Sequence, residues 1–464
     1  MIFFGQSEHL YGFQCHTCCV CLSGIIGWRS KSVKAARTIA LADKNSESST
    51  LLLITFKYPY GNGEPFLESE LPYLRQRFDK ILVQPIIGSR SRRQLPSGFT
   101  LCSPLYHDVE QRKFFLFSLL FPSVWNDAAL EWLNLKRDKR PVEPKRLMAW
   151  AATKRKLERS EGVRRLLASE DKRVAYAYWG HTPALASNLF RKRHIPFAVR
   201  FHRVDLYDYG GHGYIYGKSK PQSFPWRSNI LHAQRIFFIS DHGKDYFEKE
   251  WPFDIENERI QVNRLGTFDY GTSSNVKESD AFTIVSCSRI APVKQVELIA
   301  QFAEAMAKYS RKVVWHHFGS GNDAKALEAI KCAKKCHNLK VTLHGWVDNP
   351  EIMQFYQRNS VDLFVNLSRS EGIPVSIMEA ISFGIPVLAT AVDGTPEIVI
   401  EGESGFLCTL ADARNSEDLA NRVFNARIDG RWVNLNPREV WQKRFNADRN
   451  FAISANELSQ IASG

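Results

Sequence analysis

Residues 361–390 limit what this chain of 464 residues can fold into, because apolar runs and helix-breaking residues follow one another in strand–helix–strand order. The apolar runs at 361–367 and Val387–Thr390 predict buried strands. Between them, Pro374 suits the first position of a helix, and Gly384 suits the position just after its end. A helix that connects two buried strands is typical of a parallel sheet, so this segment predicts an α/β fold.

Two carboxylates flank the start of the predicted helix. Glu371 lies in the loop before the helix, and Glu379 lies about a turn inside it. In parallel sheets, ligands bind at the carboxyl ends of the strands, and the N-terminus of a helix attracts phosphate groups. Carboxylate oxygens accept hydrogen bonds from sugar hydroxyls. The segment therefore predicts a site for a ligand that carries both hydroxyl and phosphate groups.

This segment resembles the E-x7-E signature of family 4 of the retaining glycosyltransferases: seven residues separate Glu371 from Glu379, and the strings GIPVLAT and GTPEIV follow. The resemblance implies that Glu371 positions the donor sugar and that Glu379 binds the ribose hydroxyls of its nucleotide. The backbone near the sugar and the phosphates would be that of Gly372, Ile373, Pro374 and Val375. The fold that the resemblance implies is GT-B, in which two Rossmann-like parallel-sheet domains face each other across a cleft.

A second string, SRIAPVKQVELI, places Arg289 and Lys294 just after a predicted strand. It resembles the G-R-L-x-x-x-K-G segment with which the same family grips the donor diphosphate, although Ser288 and Gln295 stand where glycine is usual. Positive charges here would stabilise the diphosphate as negative charge develops on it. The resemblance therefore implies that both cations take part in catalysis together with Glu371.

Three further glycines follow strands at which the family's nucleotide-binding loops occur, namely Gly319, Gly321 and Gly345. The resemblance assigns them to the donor site. Ordinary turns are the competing interpretation, because glycine serves wherever the backbone needs a positive φ.

The first half of the chain carries one candidate catalytic residue and a group of candidate acceptor contacts. His202 ends an apolar strand and resembles the family's histidine beside the transferring sugar, where a neutral imidazole would hydrogen-bond a hydroxyl. A histidine with a purely structural role is the competing interpretation. The predicted acceptor contacts follow strands in the same half: Gly61, Gly63, Glu64, His181, Arg203 and Asp205.

Alternating strands and helices predict two α/β domains along the chain. Further strands are predicted at 51–56, 80–85, 173–179, 197–201, 235–239, 282–287, 312–318 and 340–343, and helices at 295–309 and 324–335. The predicted parts are an extension of uncertain order at 1–50, an acceptor-binding domain at 51–270, a linker at 271–280, a nucleotide-sugar-binding domain at 281–436, and a helix at 437–464. The resemblance implies that this last helix crosses back to the first domain.

Patterns for a metal or a cofactor are weak. Asp205 and Asp208 are too far apart for a DxD motif, so we expect a metal-independent reaction with a nucleotide diphosphate sugar as co-substrate and no further cofactor. A cluster of cysteines hints at zinc, but the sequence holds no second pair at zinc-finger spacing. The clustered cysteines are Cys15, Cys18, Cys19 and Cys21. Cys287, in an apolar strand, is predicted to be a buried thiol.

The formal net charge of +13 is unevenly distributed. Residues 136–173 contain 14 Lys or Arg against 6 Asp or Glu, a local net charge of 14 − 6 = +8, and follow an aromatic segment that includes Phe121, Trp125 and Trp132. Basic residues beside exposed aromatics suit an anionic membrane surface. A solvated basic helix beside core aromatics is the alternative. Nucleic acid is disfavoured as a partner, because no recognised RNA- or DNA-binding motif accompanies the charge.

The longest apolar run, at 114–121, is far shorter than the roughly 20 residues that span a bilayer. The N-terminus lacks the pattern of a signal peptide. A cytoplasmic enzyme is therefore expected, with peripheral attachment to the inner face of the cell membrane as an extension of this expectation.

These features together predict a retaining, metal-independent glycosyltransferase of the hexosyltransferase type. Its donor would be a nucleotide diphosphate sugar and its acceptor a saccharide or lipid-linked saccharide, in the biosynthesis of a cell-surface polysaccharide such as an exopolysaccharide. Two alternatives stay open: a nucleotide-sugar 2-epimerase on the same fold, and a non-catalytic scaffold that keeps the GT-B fold as a partner surface.

Overall fold

A computed structural model describes the protein over residues 48–61, 63–107, 120–137, 144–207, 226–251, 253–273 and 280–464. Several sequence predictions fall outside these ranges. They concern the four clustered cysteines, Asp208, the apolar residues 114–119, and most of the 1–50 extension and the 271–280 linker.

The first half of the described chain is built on a parallel sheet. Its strands are β1 (Ser49–Thr55), β2 (Lys80–Pro85), β3 (Ile87–Gly88), β4 (Phe99–Leu101), β5 (Tyr106–His107), β6 (Lys172–Ala177), β7 (Phe197–Phe201), β8 (Arg235–Phe238) and β9 (Ile260–Val262). Seven of them form one sheet in the order β4-β2-β1-β6-β7-β8-β9, and every neighbouring pair is parallel. Strands β3 and β5 pair separately.

The second half contains a second parallel sheet. Its strands are β10 (Phe282–Cys287), β11 (Val313–Phe318), β12 (Leu339–Gly345), β13 (Leu363–Asn366), β14 (Val387–Thr390) and β15 (Gly405–Cys408). They lie in the order β12-β11-β10-β13-β14-β15, again with parallel neighbours throughout. The α/β class with two Rossmann-like parallel sheets, predicted from the sequence, is therefore confirmed.

Helices connect and cover the strands. They are α1 (Leu71–Arg77), α2 (Pro122–Arg137), α3 (Pro144–Glu158), α4 (Glu161–Ala168), α5 (Ser187–Lys192), α6 (Asp241–Glu250), α7 (Val296–Met306), α8 (Ala324–Ala333), α9 (Asn349–Arg358), α10 (Val375–Ser382), α11 (Ser416–Ile428), α12 (Pro437–Arg444) and α13 (Ala447–Ser463). Among the helices that the structure describes, none combines the length and the apolar character needed to cross a bilayer.

The central strands are continuous apolar runs, because helices cover a parallel sheet on both faces. In β1 every residue after Ser49 is buried, and all four residues of β13 and of β14 are buried. The predicted strands at 80–85, 197–201, 282–287 and 387–390 lie where the sequence placed them, and the other predicted strands differ at their ends by at most two residues. Strands β3, β4, β5 and β9 were not predicted, because two or three residues give too short a pattern, and the four-residue strand β15 was not predicted either.

The last helix, α13, lies against the first half of the chain. Ser454 Oγ donates to Glu70 Oε1 at 3.1 Å, and Arg235 forms an ion pair with Glu457 at 2.7 Å. Glu70 also pairs with the fully buried Arg200 of β7 at 3.1 Å. Because a buried charge that loses its partner is costly, these contacts favour one arrangement of α1, β7 and α13.

Candidate active site

Loops at the carboxyl ends of β10, β11 and β12 meet at one edge of the second sheet. Gly319 N donates to Gly345 O at 2.7 Å, and Gly321 forms a bridge with Ile290. A Cβ atom at Gly319 would lie 1.9 Å from Ser288 O, and one at Gly321 would lie 2.0 Å from Ile290 O. Gly319 and Gly321 therefore let these loops pack closely beside the loop after β10. The contact of the three glycines with a donor stays a prediction.

The loop after β10 also carries Lys294, which reaches the loop after β13 and pairs with Glu371. Lys294 Nζ lies 2.5 Å from Glu371 Oε1, and Asn366 Nδ2 lies 3.4 Å from the same oxygen. Burial acts to raise the pKa of Glu371, but the charge and the hydrogen bond of Lys294 outweigh it and hold the pKa below its ordinary value. Glu371 is therefore a buried carboxylate that stays charged near neutral pH.

Arg289 lies on the same loop as Lys294 but is exposed, and within the described ranges its guanidinium has no ion-pair partner. Gln295, which stands where the resemblance expects glycine, has a φ of 45°. A non-glycine residue in this left-handed conformation costs about 1–2 kcal/mol. The loop thus keeps a conformation that favours glycine, although glycine itself is absent from that position.

Helix α10 begins beside the Lys294–Glu371 pair. Pro374 is its N-cap, with φ −71° and ψ 115°, so the helix starts at Val375, one position later than the sequence predicted. Gly372 and Ile373 form the turn that leads into it, and Gly384 follows its end with a φ of 80°, as expected. No described side chain caps the start of the helix, and only from Ile377 onward do its N–H groups donate to Pro374 O, so the first two, of Val375 and Ser376, are available to an anion.

Glu379 lies in the second turn of α10 and is buried. Asn349 Nδ2 donates to Glu379 Oε1 at 2.6 Å. Burial raises the pKa of Glu379 to about 7, and the hydrogen bond from Asn349 opposes this rise only in part. Sequence reasoning missed Asn349, because an asparagine at the start of a helix is common and no local pattern links it with Glu379.

A second residue that sequence reasoning missed, Asp393, holds the turn before α10. Its Oδ2 accepts hydrogen bonds from Glu371 N at 3.0 Å and from Ser370 Oγ at 2.5 Å. Arg203 Nη1, from the first half of the chain, donates to Ser370 Oγ at 2.9 Å. This contact brings Arg203 and its neighbour His202 to the loop that carries Glu371. The string GTPEIV, recognised in the sequence, begins one residue after Asp393, but it gave no sign of the role of this carboxylate.

His202 is buried at the end of β7, in an aromatic environment. Its ring centroid lies 5.3 Å from that of Phe66, 5.2 Å from that of Tyr178 and 4.3 Å from that of Trp179. Neither ring nitrogen has a hydrogen-bond partner among the described residues. Burial lowers the pKa of His202 well below its ordinary value, and nearby positive charge adds to the effect. The imidazole is therefore neutral, and both of its ring nitrogens are buried without a partner among the described residues.

Asp205, predicted to contact the acceptor, is occupied by backbone donors. Its Oδ1 accepts from His202 N at 2.8 Å, and its Oδ2 accepts from Gly180 N at 2.7 Å. Burial raises the pKa of Asp205 to about 7 despite these hydrogen bonds. In this structure the carboxylate links the loop after β7 to the loop after β6 through these hydrogen bonds. Contact of Asp205 with an acceptor stays a prediction.

Glu64, a second predicted acceptor contact, is held in a similar way. Its carboxylate accepts from the backbone N–H groups of Phe56 at 2.9 Å, Lys57 at 2.7 Å and Tyr58 at 2.5 Å. Trp179 Nε1 donates to it as well, at 2.5 Å. Glu64 is buried, so its visible role is to shape the loop after β1 and to orient the Trp179 ring.

The remaining predicted acceptor contacts lie at the same edge of the first sheet. Gly61 has a φ of 55°, and its N–H donates to Ser91 O at 3.0 Å. Gly63 lies in the same loop after β1. The ring of His181 stacks on that of Trp179 with centroids 5.5 Å apart. The loops after β1, β6 and β7 thus form one surface, which ends at the Arg203–Ser370 contact with the second half.

Two parallel sheets with polar residues gathered at their carboxyl ends define the GT-B class of fold, and a solved structure shows the same architecture. The crystal structure of Alr3699/HepE from Anabaena in complex with UDP and glucose matches this chain with a TM-score of 0.57. The two are 16% identical, and the match covers 88% of this chain and 99% of that chain. This likeness concerns the fold, and it confirms the GT-B prediction.

Residues 272–435 match the model of the family described as Glycosyl transferases group 1. This range contains the second sheet together with Arg289, Lys294, Glu371 and Glu379. The match lies in the second half of the chain and includes the E-x7-E segment, so it confirms the resemblance to this family that the segment indicated.

Two relatives illustrate the range of similar proteins. The N-acetyl-alpha-D-glucosaminyl L-malate synthase of Bacillus anthracis is 24% identical over 203 residues, which are 42% of this chain and 50% of that protein. The O-antigen biosynthesis glycosyltransferase WclY of Escherichia coli is 22% identical over 246 residues, which are 51% of this chain and 65% of that protein. The chain thus spans about half to two thirds of the length of these relatives.

Proposed function

We propose that this protein is a retaining glycosyltransferase that moves a sugar from a nucleotide diphosphate sugar to a saccharide or lipid-linked saccharide, in the synthesis of a cell-surface polysaccharide. The observation that carries the proposal is the Lys294–Glu371 ion pair, which lies beside the exposed Arg289 and the start of α10. The arrangement offers two cations and free N–H groups to a diphosphate, and a charged carboxylate to sugar hydroxyls.

Donor binding would exchange the partners of this ion pair. Lys294 leaves Glu371 for oxygens of the diphosphate, with Arg289 as the second cation. Glu371 then accepts hydrogen bonds from the donor sugar. The Asp393 carboxylate still accepts from the backbone N–H of Glu371 and keeps that residue in place. Because the pKa of Glu371 lies below its ordinary value, the carboxylate is charged and acts as an acceptor only.

The transfer step would take place on the face from which the diphosphate leaves. The bond between the anomeric carbon and the diphosphate oxygen breaks, the acceptor oxygen bonds to that carbon, and the acceptor proton passes to a diphosphate oxygen. Arg289 and Lys294 stabilise the departing negative charge, and bound geometry supplies the rest of the acceleration. Since these cations and the helix start do the work that a divalent ion performs elsewhere, we propose that the reaction needs no metal and no further cofactor.

Glu379 and the first half would complete the site. Glu379 accepts a hydrogen bond from Asn349 in this structure, and with a donor bound it would accept hydrogen bonds from the ribose hydroxyls of the nucleotide. His202, with both ring nitrogens unpaired among the described residues, would hydrogen-bond a hydroxyl of the sugar that moves. The loops after β1 and β6 would hold the acceptor.

Properties of similar proteins support the donor and the pathway class. The Anabaena protein was crystallised with UDP and glucose, which supports a nucleotide diphosphate sugar as donor. The Escherichia coli relative is named for O-antigen biosynthesis, which supports a cell-surface polysaccharide as the product.

A panel of nucleotide sugars, incubated with the purified protein and a membrane lipid extract, tests the proposal through nucleotide release and sugar transfer. Glu371→Gln should lower transfer by about 10²–10³-fold with the accepted donor, because an amide neither carries the charge nor accepts as many hydrogen bonds. Glu417→Gln is the matched control, since Glu417 forms an exposed ion pair with Lys308 in the same half. It should leave transfer unchanged.

Three different outcomes would exclude the proposed glycosyltransferase reaction at Glu371. Equal transfer by the wild type and Glu371→Gln with every donor would remove the proposed site. Conversion of the donor sugar to its 2-epimer without an acceptor would identify an epimerase on the same fold. A protein that binds none of the nucleotide sugars would be a scaffold.

A further inference from the structure

Helix α2 presents an apolar surface that the proposed reaction does not use. Thirteen large hydrophobic side chains are exposed in the described part of the chain, and six of them fall within residues 120–133. They are Leu120, Phe121, Trp125, Leu130, Trp132 and Leu133, here named the α2 patch. Single exposed apolar residues are common on proteins, but a concentration of this kind marks a binding surface.

Four residues of the α2 patch lie in the helix itself, and another face of this helix is already buried. Val124, Ala128, Glu131 and Leu135 recur at helical spacing and are buried, and Glu131 Oε1 accepts a hydrogen bond from Trp226 N at 2.5 Å. On the outer side, Leu130 is 56%, Trp132 40% and Leu133 58% exposed. Packing among the described residues therefore buries one face of α2 and leaves Leu130, Trp132 and Leu133 exposed.

A basic groove adjoins the α2 patch. It has a volume of about 390 Å³, and Phe121 belongs both to the patch and to the wall of the groove. Residues of α3, of α4 and between these helices also line the groove and contribute four cations and one carboxylate: Arg155, Lys156, Arg159, Arg164 and Glu161. Apolar and cationic surfaces are thus continuous here.

The cations of the groove are not equivalent. Arg155 forms an ion pair with Asp127 at 2.6 Å. Arg159 and Arg164 are exposed, and no ion-pair partner is found for them in the described ranges. At the far end of α2, Lys136 Nζ lies 3.8 Å from the ring centroid of Trp132. Cations therefore border the apolar residues at both ends of the helix.

We propose that the α2 patch and the basic groove bind an anionic phospholipid bilayer, with Leu130, Trp132 and Leu133 inserted at the interface and Arg159 and Arg164 on lipid phosphates. A bilayer surface is the partner that combines these chemistries, because its acyl chains are apolar and its anionic headgroups carry negative charge. Indole rings favour this interfacial depth, and a lysine beside one can keep its ammonium in water. The inference stands apart from the proposed transfer reaction, since membrane binding requires neither donor nor acceptor.

Co-sedimentation of the full chain with vesicles tests this inference without any donor. The vesicles are phosphatidylcholine alone or phosphatidylcholine mixed with phosphatidylglycerol. The wild type should bind the mixed vesicles, and it should bind the neutral vesicles at least about 10-fold more weakly. Binding to the mixed vesicles should weaken at high salt. Thermal unfolding of each variant verifies that the protein has folded.

Two double variants separate the apolar and the cationic parts. Arg159→Gln with Arg164→Gln should weaken binding to the mixed vesicles by about 30-fold. Its control is Lys334→Gln with Lys335→Gln, at two exposed lysines of the second half, and should bind like the wild type.

Trp132→Ser with Leu133→Ser should weaken binding by more than about 10-fold. Its control is Ile428→Ser with Val433→Ser, at exposed apolar residues elsewhere, and should also bind like the wild type.

Three results would overturn the inference. The first is a wild type that stays in the supernatant with both kinds of vesicle or binds both equally. The second is equal binding by the patch variants and their controls. The third is a wild-type dimer in analytical ultracentrifugation that the Trp132 and Leu133 substitutions dissociate, because the patch would then contact a second copy of the chain.

Discussion

The two halves of the candidate site hold their carboxylates in different ways. In the second half, Glu371 accepts from the side chain of Lys294, and Glu379 accepts from an asparagine side chain. In the first half, Glu64 and Asp205 accept mainly from backbone N–H groups. A side chain can change rotamer and yield its place to a ligand, whereas a backbone donor moves only with its loop.

This difference divides the site into two parts. We call Glu371 and Glu379, with the cations Arg289 and Lys294, the exchangeable part, and we call Glu64 and Asp205 the rigid part. Substitutions in the exchangeable part should change binding and turnover while the protein stays equally stable. Substitutions in the rigid part should first lower stability. Each prediction below tests one side of this contrast.

The largest effect is expected at Arg289, the exposed cation of the exchangeable part. Arg289→Ala should lower sugar transfer by about 10²–10³-fold, since one charge that stabilises the leaving diphosphate is lost. The midpoint of thermal unfolding should stay unchanged, because this guanidinium has no ion-pair partner in the described ranges. Arg311→Ala, at another exposed arginine of the same half, is the control. A normal rate in the Arg289 variant would exclude this residue from the reaction.

Glu64 should show the opposite behaviour. Glu64→Gln should lower the free energy of unfolding by about 2–3 kcal/mol, because the amide cannot accept from all the N–H groups that now surround the carboxylate. Urea unfolding measures the change. Glu68→Gln, which removes an ion pair with Arg93 at the surface, should cost less than about 1 kcal/mol. A stable Glu64 variant that has lost transfer would place Glu64 in the exchangeable part instead.

The third prediction concerns the pH dependence of donor binding. Burial raises the pKa of Glu379 to about 7, and only the charged form accepts from both ribose hydroxyls. Donor affinity should therefore be about 10-fold weaker at about pH 6 than at about pH 8. Isothermal titration of the donor at several pH values measures this, and Glu379→Gln should give a weak but pH-independent affinity. A wild-type affinity that does not vary with pH would contradict the assignment of Glu379 to the ribose.

Asp205 sharpens the same comparison, because burial also raises its pKa to about 7. The folded state binds a proton at Asp205 more tightly than the unfolded state does, so this stabilising contribution is present at low pH. It is lost as the pH rises toward about 7. Asp205 should thus affect the pH dependence of unfolding, not that of donor affinity.

The smallest effect is expected where the two halves touch. Arg203→Gln removes the 2.9 Å hydrogen bond to Ser370 Oγ and should lower transfer by about fivefold, which corresponds to about 1 kcal/mol. Ser370→Ala removes the same contact from the other side and serves as its partner in a double-mutant cycle. If the two effects add in full, the two side chains do not act on transfer through this contact.

Much of the fold followed from the sequence, because strands such as Phe197–Phe201 and Val387–Thr390 are short apolar runs between polar turns. The residues of the second half were recognised because two short segments resemble the motifs of a known family. The acceptor contacts of the first half lacked such a motif. Position after a strand selected Glu64 and Asp205, but position cannot show whether a carboxylate faces a ligand or its own backbone.

The α2 patch shows the same limit on the surface. The sequence brought aromatic and basic residues together at 120–173, and left open whether the aromatics were core or surface residues. Helical spacing buries Val124, Ala128 and Leu135 and leaves Trp132 and Leu133 outside, and this depends on how α2 packs against its neighbours.

The sequence by itself determined the succession of strands and helices, the GT-B class and the kinds of chemical group at the strand ends, since these depend on local periodicity and short motifs. Only the tertiary structure decided which groups meet. Lys294 and Glu371 are 77 residues apart and Arg203 and Ser370 are 167 apart, yet each pair is in contact. Contacts of this kind depend on how the two sheets and their side chains pack, and no local pattern encodes that packing.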